Sequence, residues 1–383
     1  MTGLATRLEA YRAEFPISDT QIFLNHAGVA PTSTRVVDEV HRWMLKLANV
    51  GRPSFEDWEA EADACRESFA RLIGADVEEI TFVRNTSHGL SLVAAGLDWQ
   101  PGDRVAAATS IEYPSNVYPW EDLERRGIVA LDPIVPADGG VSVEAVEAVL
   151  RPETRLVALS SAQYGSGAVS DLDAIGSLCN ERGVLFCVDG IQTVGALPLD
   201  VKTSGVHMLS ADSHKWMLGT MGIGALFIDR SVLESVRPVL VGWKSMAEGW
   251  DFDNARFELL SSAGRFEEGS LSYPLIAGFA AALSLLHEVG VDAISRHVCA
   301  LVDHLARGLE GVGCVVGPVP ALRKHILTFD HPHVEPAALE EALALKKVVL
   351  SVRKGTVRAS PHFYNTTAEM DFVVEAVRGT VGR

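Results

Sequence analysis

The residues best placed to do chemistry are an acid and an amine near the ends of two neighbouring apolar runs. Residues 184–188 read VLFCV and residues 207–211 read HMLSA. Each has the length of a strand, and each gives way to polar residues where a chain leaves a sheet. Asp189 follows the first run and Lys215 follows the second by a few residues. A primary amine can hold a carbonyl cofactor as a Schiff base, and a carboxylate can keep a ring nitrogen protonated. Pyridoxal 5′-phosphate needs both, because it acts as an electron sink only while its pyridinium is charged. An arbitrary Lys and Asp are more often a solvated helix-start lysine and a turn acid. Here the surrounding residues reverse that reading.

The segments VDGIQTVGA (188–196) and SADSHKWMLGTMGIG (210–224) resemble the class V aminotransferase and cysteine desulfurase-like family, a group of fold type I pyridoxal-phosphate enzymes with an isopenicillin N epimerase-like branch. The resemblance implies that Asp189 pairs with the pyridine nitrogen, Gln192 donates to the ring O3′ and Lys215 carries the cofactor. It places Ser213 and His214 among the phosphate contacts. Asp212 stands where the family often has Ser or Thr, and an acid does not bind a phosphate dianion.

Strands must carry these groups. Apolar runs near 80–83, 103–108, 128–135, 156–160, 184–188, 207–211 and 224–228 alternate with helical patterns, which implies an α/β fold with a mostly parallel sheet covered by helices on both faces. Ligands collect at the carboxyl ends of such strands, and Glu112, Tyr164, Asp189 and Lys215 all follow strand ends. From Val291 onward helices alternate with short strands such as HILTF, which suggests a smaller α+β C-terminal domain. The expected division is a large cofactor-binding domain over 20–265, with 1–19 and 266–383 forming the small one.

Other segments extend the resemblance. After the strand-like EITFV, Asn85, Thr86 and Ser87 open a helix, where backbone N–H groups can hold a phosphate and where the same residue types are ordinary caps. In SIEYPSNVYPW, Tyr113 matches the ring that stacks on the pyridine, commonly a His. A Tyr can stack but offers no imidazole acid or base near neutral pH. Tyr164, in SSAQYGSG, matches the place where desulfurases carry an Asn that contacts the cofactor, which points towards epimerase, lyase and kynureninase-like branches. The run QIFLNHAGVAPTS (21–33) resembles an N-terminal loop lining the active site, with Asn25 and His26 as substrate-binding candidates. A lone loop His is otherwise a hydrogen-bonded scaffold residue.

RFEEGS (265–270) resembles a segment whose hydroxyl, here Ser270, reaches the phosphate of the neighbouring subunit, which implies a homodimer. A serine before a helix is also an ordinary cap. The C-terminal R-x-S-x-x-x-YNT pattern begins at Arg358, which the resemblance assigns to the substrate α-carboxylate through a bidentate pair. Desulfurases carry a loop with a reactive cysteine upstream of that arginine. Here the chain runs from Val352 to Arg358 without one.

Composition sets the remaining bounds. With 48% hydrophobic and 22% charged residues the chain can bury a full core. A net charge of −17 repels a nucleic-acid backbone, so anion sites must be local. No apolar run approaches the roughly 18 residues of a membrane helix, and residues 1–15 lack a signal-peptide block. The expectation is a cytoplasmic protein binding neither nucleic acid nor membrane. The five cysteines (Cys65, Cys179, Cys187, Cys299, Cys314) form no CxxC pair, so neither a disulfide framework nor a zinc site is indicated. GVGCVVG (311–317) lacks the dinucleotide-binding glycine spacing. His325, His331 and His333 read as exposed turn histidines, and no metal is expected.

The function expected is that of an enzyme acting on an L-amino acid through an external aldimine, with Lys215 removing the Cα proton. Aminotransferase or β-eliminating C–S lyase chemistry is preferred over persulfide-forming desulfuration. The alternatives are amino-acid epimerisation and a non-catalytic interaction protein of the same fold.

Overall fold

The computed structural model describes residues 4–50 and 55–381. Its strands are β1 (Ile22–Phe23), β2 (Ile80–Val83), β3 (Arg104–Ala107), β4 (Ala130–Pro133), β5 (Thr154–Ser160), β6 (Leu185–Asp189), β7 (Met208–Asp212), β8 (Gly224–Ile228), β9 (Val315–Gly317), β10 (Leu327–Asp330), β11 (Val348–Val349), β12 (Ser351–Arg353) and β13 (Thr356–Ala359).

The central sheet has the order β2-β8-β7-β6-β5-β3-β4. All of its strands run one way except β8, which is antiparallel to both β2 and β7. The fold is that of the α/β, fold type I class.

Every residue of β6, β7 and β8 is buried, which is why these strands read as unbroken apolar runs. Alternate residues serve two cores. Val157, Phe186, Val188, Leu209 and Phe227 join one core with Phe69, Ile175 and Phe279, from the helices Phe55–Ile73, Leu172–Arg182 and Tyr273–Val289. Leu156, Leu185, Met208 and Leu226 face Leu90, Val93 and Trp120, from the helices Thr86–Gly96 and Tyr118–Arg125. Strand alternation thus fixes which residues meet which helical layer.

A four-stranded antiparallel sheet, ordered β12-β13-β10-β9, and the helices Val291–Glu310, Pro336–Ala344 and Thr367–Val381 enclose a third core. Its inward face carries Leu327, Phe329 and Val357, while Thr328 and Arg358 point the other way. β1 pairs with β11 in parallel, so the chain around residue 22 is tied to this C-terminal region. The glycine-spaced run 311–317 ends in β9, an edge strand of this sheet.

His325 differs from its expected place. It is fully buried, its Nε2–H donates to the Gln192 carbonyl, and its ring meets Trp216 at 4.5 Å. Among the described residues no single helix is long and apolar enough to cross a membrane, and no group of three or more His, Cys, Asp or Glu could hold a metal ion.

Candidate functional site

A pocket of about 330 Å³ opens at the carboxyl ends of the central strands, between the large sheet and the polar face of the small one. Asp189 closes β6, level with Ser160 of β5 and Ser210 of β7. It is 1% exposed, and its Oδ1 accepts the Ile191 N–H at 3.1 Å. Burial pushes its carboxyl up, with Glu112 and Asp212 adding, while the Ile191 amide and Lys215 pull it down. A cationic ring N–H set against it would restore the carboxylate.

Lys215 follows β7 through the turn at 213–215 and lines the pocket. Among the described residues no hydrogen bond or ion pair reaches its Nζ, which lies 5.6 Å from the centre of the Tyr113 ring. Burial lowers its ammonium from the ordinary value, and Arg358 and Arg353 act in the same direction against Asp189 and Asp212. An amine so placed is more readily neutral and nucleophilic.

The other end of the pocket suits an anion. The helix Thr86–Gly96 starts there, with the Asn85 side chain accepting the His88 N–H at 2.8 Å. Its first amides have no intrahelical acceptor, and the buried Thr86 Oγ1 has no partner. Gly89 lets this helix start press against the sheet, since a Cβ there would come within 2.2 Å of Ser210 Oγ. Ser87 lies beside the cradle, its hydroxyl shared with Ser115 at 2.6 Å. His214 also lines the pocket. Its Nδ1 is 3.1 Å from Asp212 Oδ1 but lacks the alignment of a hydrogen bond, and both atoms are buried without a partner. Buried polar atoms are ordinarily bonded, so the open Thr86 hydroxyl beside the free helix amides marks the place of a polar ligand.

Arg358 faces the strand ends from β13. Nη1 donates to the Tyr164 carbonyl at 2.5 Å and Nη2 to Asn25 Oδ1 at 3.2 Å, while Nε is buried without a partner. Burial, with Arg353 adding, lowers it to about 10, as for a cation awaiting an anion. Gln192 donates to the Ala27 carbonyl and accepts from Trp216, which leaves its second amide hydrogen for a ligand. Tyr113 and Tyr164 meet edge to face at 5.1 Å over the pocket. Acid, amine, anion cradle and flat ring together fit pyridoxal 5′-phosphate.

Besides Asp189, four expected site residues do not line this chain's pocket, of which Ser270 was expected at a neighbouring subunit's. His26 is turned into the core: its Nδ1–H donates to the Ser360 carbonyl at 2.8 Å and its Nε2 accepts the Tyr364 hydroxyl at 2.7 Å. Both nitrogens are occupied, so it has none to offer a substrate. The Ser213 hydroxyl donates to the Thr220 carbonyl at 2.5 Å, so its proton is already committed within the turn. Asn25 positions Arg358, while Ala27, Gly28 and Val29 of the same loop line the pocket. Ser270 is exposed and outside this chain's pocket.

Arg353 lines the pocket and was not anticipated. Its signal was the alternation along β12 and β13, which puts Ser351, Arg353 and Arg358 on one face.

The buried histidines carry a stability prediction. Burial lowers His26 and His325 to about 4 and His362 well below the ordinary value. Their folded values lie below the unfolded one, so as pH falls the unfolded chain takes up protons first. Stability is complete above about pH 6.5 and is lost towards about pH 4. In urea unfolding, the advantage of wild type over His26→Gln should shrink by about 2 kcal/mol between pH 7 and pH 5. A constant difference would show that His26 is not neutral in the folded protein.

Comparison with known proteins agrees with this geometry. The model of the "Aminotransferase class-V" family matches residues 22–373. A probable cysteine desulfurase of Methanothermobacter thermautotrophicus is 28% identical, with 98% of each chain covered. An uncharacterized aminotransferase of Bacillus subtilis, YcbU, is 29% identical over 96% of this chain and 97% of its own. The apo structure of a cysteine desulfurase from Thermococcus onnurineus superposes with a TM-score of 0.89 at 25% identity, with 98% of each chain covered.

Proposed function

Because the chain belongs to the class-V aminotransferase family, we propose that it is a pyridoxal 5′-phosphate-dependent enzyme that labilises the Cα–H bond of an L-amino acid, as an aminotransferase or a β-eliminating C–S lyase. The observation that carries this reading is the buried Lys215 Nζ, which has no bonded acid among the described residues, in one pocket with the Arg358 guanidinium, whose two anchors are neutral oxygens and whose Nε is left open. The cofactor, when bound, supplies the electron sink.

The chain's own groups do the rest. Asp189 would hold the ring N–H, and the helix start at Thr86 and Ser87, with His214, would hold the phosphate. Tyr113 would cover the ring, and Gln192 would donate to its hydroxyl oxygen. Arg358 orients the substrate carboxylate, and Lys215 Nζ takes the Cα proton. The division into domains over 20–265 and over 1–19 with 266–383 is part of the same reading. An interaction protein without catalysis has no need to keep all three of Lys215, Asp189 and Arg358.

Among these chemistries, persulfide formation on the enzyme's own thiol is disfavoured. Cys65, Cys179, Cys187 and Cys314 are buried, Cys299 is half-buried on a helix, and none lines the pocket. Burial pushes every one of these thiols up, Cys179 to about 12 and Cys314 to about 11, away from the thiolate that attack on sulfur requires.

The test is a panel of L-amino acids, followed for pyruvate, ammonia, sulfide and keto acids together. Cysteine-to-serine changes should leave turnover nearly intact wherever the variant folds. Alanine as product, with a persulfide on any of the five, would overturn the preference. Ser270 is proposed to complete the phosphate site of a second copy, and a fully active monomer in sedimentation would remove it from the site.

A further inference from the structure

We infer that the substrate carries a second anionic group at the end of its side chain, and that Arg353 recognises it. This rests on the reading that Arg358 takes the α-carboxylate.

The argument begins with the hairpin β12–β13. Its register pairs Ser351 with Arg358, Val352 with Val357 and Arg353 with Thr356. Lys354 and Gly355 form the connection, with φ of 48° and 82°. Two consecutive residues at positive φ make the tight primed turn that suits a two-residue hairpin. So short a link leaves the register no freedom, and Arg353 is held on the same face as Arg358, two pairs further along the strand.

That face looks into the pocket, which both arginines line, while Val357 on the opposite face packs in the small core. Diagonal neighbours of this kind sit about 7–8 Å apart, within reach of one short dianion for two long flexible side chains. Lys354, on the turn, lies nearby, its Nζ 6.0 Å from the Tyr164 ring.

No acid answers these cations. Among the described residues neither guanidinium has a carboxylate within 4.0 Å, although most arginines of this acidic chain do. Arg353 donates only to the carbonyl of the preceding residue, at 2.8 Å. The acids nearest the pocket stand on the central-sheet side, Asp189 at the end of β6 and Asp212 against His214. The two guanidiniums, diagonal on one face, repel, and Arg353 is among the groups that lower Arg358. A ligand carboxylate on each relieves that repulsion, whereas a ligand with one carboxylate leaves Arg353 uncompensated.

The test uses the cofactor-loaded protein and three acids without an amino group, glutarate, succinate and butyrate, with binding followed by calorimetry. Glutarate or succinate is expected to bind about tenfold or more tighter than butyrate, the scale of one charge-assisted contact. Arg353→Gln should erase that margin and leave butyrate binding unchanged, while Arg358→Gln should weaken all three. Arg353 is exposed on a hairpin, so the variant's thermal unfolding should match wild type.

Equal affinity for glutarate, succinate and butyrate in wild type would overturn the inference. So would an Arg353→Gln protein that loses butyrate as strongly as glutarate, since Arg353 would then serve the same carboxylate as Arg358. Failure of the parent reading looks different. Borohydride reduction that leaves no cofactor on Lys215 overturns the enzyme assignment itself, whereas a normal adduct with no dicarboxylate preference overturns this inference alone.

Discussion

Borohydride reduction of the wild-type protein is expected to fix the cofactor on the peptide containing Lys215, and the Lys215→Ala protein is expected to yield no such peptide. The environments of the lysines decide this. Lys202 lies between Glu79 and Asp229, and Lys244 between Glu59 and Glu267, so each is engaged by two acids. Lys46 faces Glu61, and Lys346 donates to the Ala376 carbonyl. Lys354 lies over the Tyr164 ring and lines a different cavity. Lys215 alone among these lines the cavity and is partly desolvated without a bonded acid, and a neutral amine is the form that adds to an aldehyde.

Removing it takes away both the covalent attachment and the proton acceptor, so turnover should fall by about 10²–10⁴-fold or more. Cofactor absorbance should survive in part, because Asp189 and the helix start at Thr86 still hold the ring and the phosphate. An adduct mapped to Lys354 in the wild type, or full turnover by Lys215→Ala, would sink the assignment.

What could be read before the structure follows from how locally each feature is encoded. The strands β5 to β8 were visible because a strand covered on both faces must be apolar throughout, and the turn chemistry after each marks where ligands gather. Asp189 and Lys215 were visible for the same reason, as polar residues directly after such runs. The direction of β8 was not, since neither composition nor periodicity distinguishes a parallel strand from an antiparallel one of equal burial.

His26 shows a second limit. Its loop does reach the pocket, but whether the imidazole turns inward depends on Ser360 and Tyr364, more than 300 residues away in sequence. The Ser213 hydroxyl and the burial of His325 were hidden likewise, by contacts that no local pattern specifies. Arg353 was legible in principle, because its spacing from Arg358 across a Lys-Gly turn defines a shared face once the hairpin is recognised.

Arg358→Lys is expected to cost about one to two orders of magnitude in kcat/KM, the effect of losing one charge-assisted, doubly hydrogen-bonded contact worth about 1.5–3 kcal/mol. Charge alone does not set the outcome. The guanidinium is aimed by two fixed acceptors, the Tyr164 carbonyl and Asn25 Oδ1, and its Nε is left free in the buried site. A planar fork so anchored can present a face to a carboxylate in one orientation, which fixes how the substrate's Cα–H bond lies with respect to Lys215.

An ammonium has no fork, and its strong hydration makes burial here costlier. The Tyr164 carbonyl and Asn25 would also lose their donor. Since orientation at Cα matters most in the transition state, kcat should fall along with any rise in KM. Asn25→Ala separates aiming from charge. It keeps the guanidinium but removes one of its two anchors, and it should lower kcat less than Arg358→Lys does. Wild-type kinetics in Arg358→Lys would take Arg358 out of the site, and an Asn25→Ala defect as large as that of Arg358→Lys would show that aiming, and not the contact itself, supplies most of the effect.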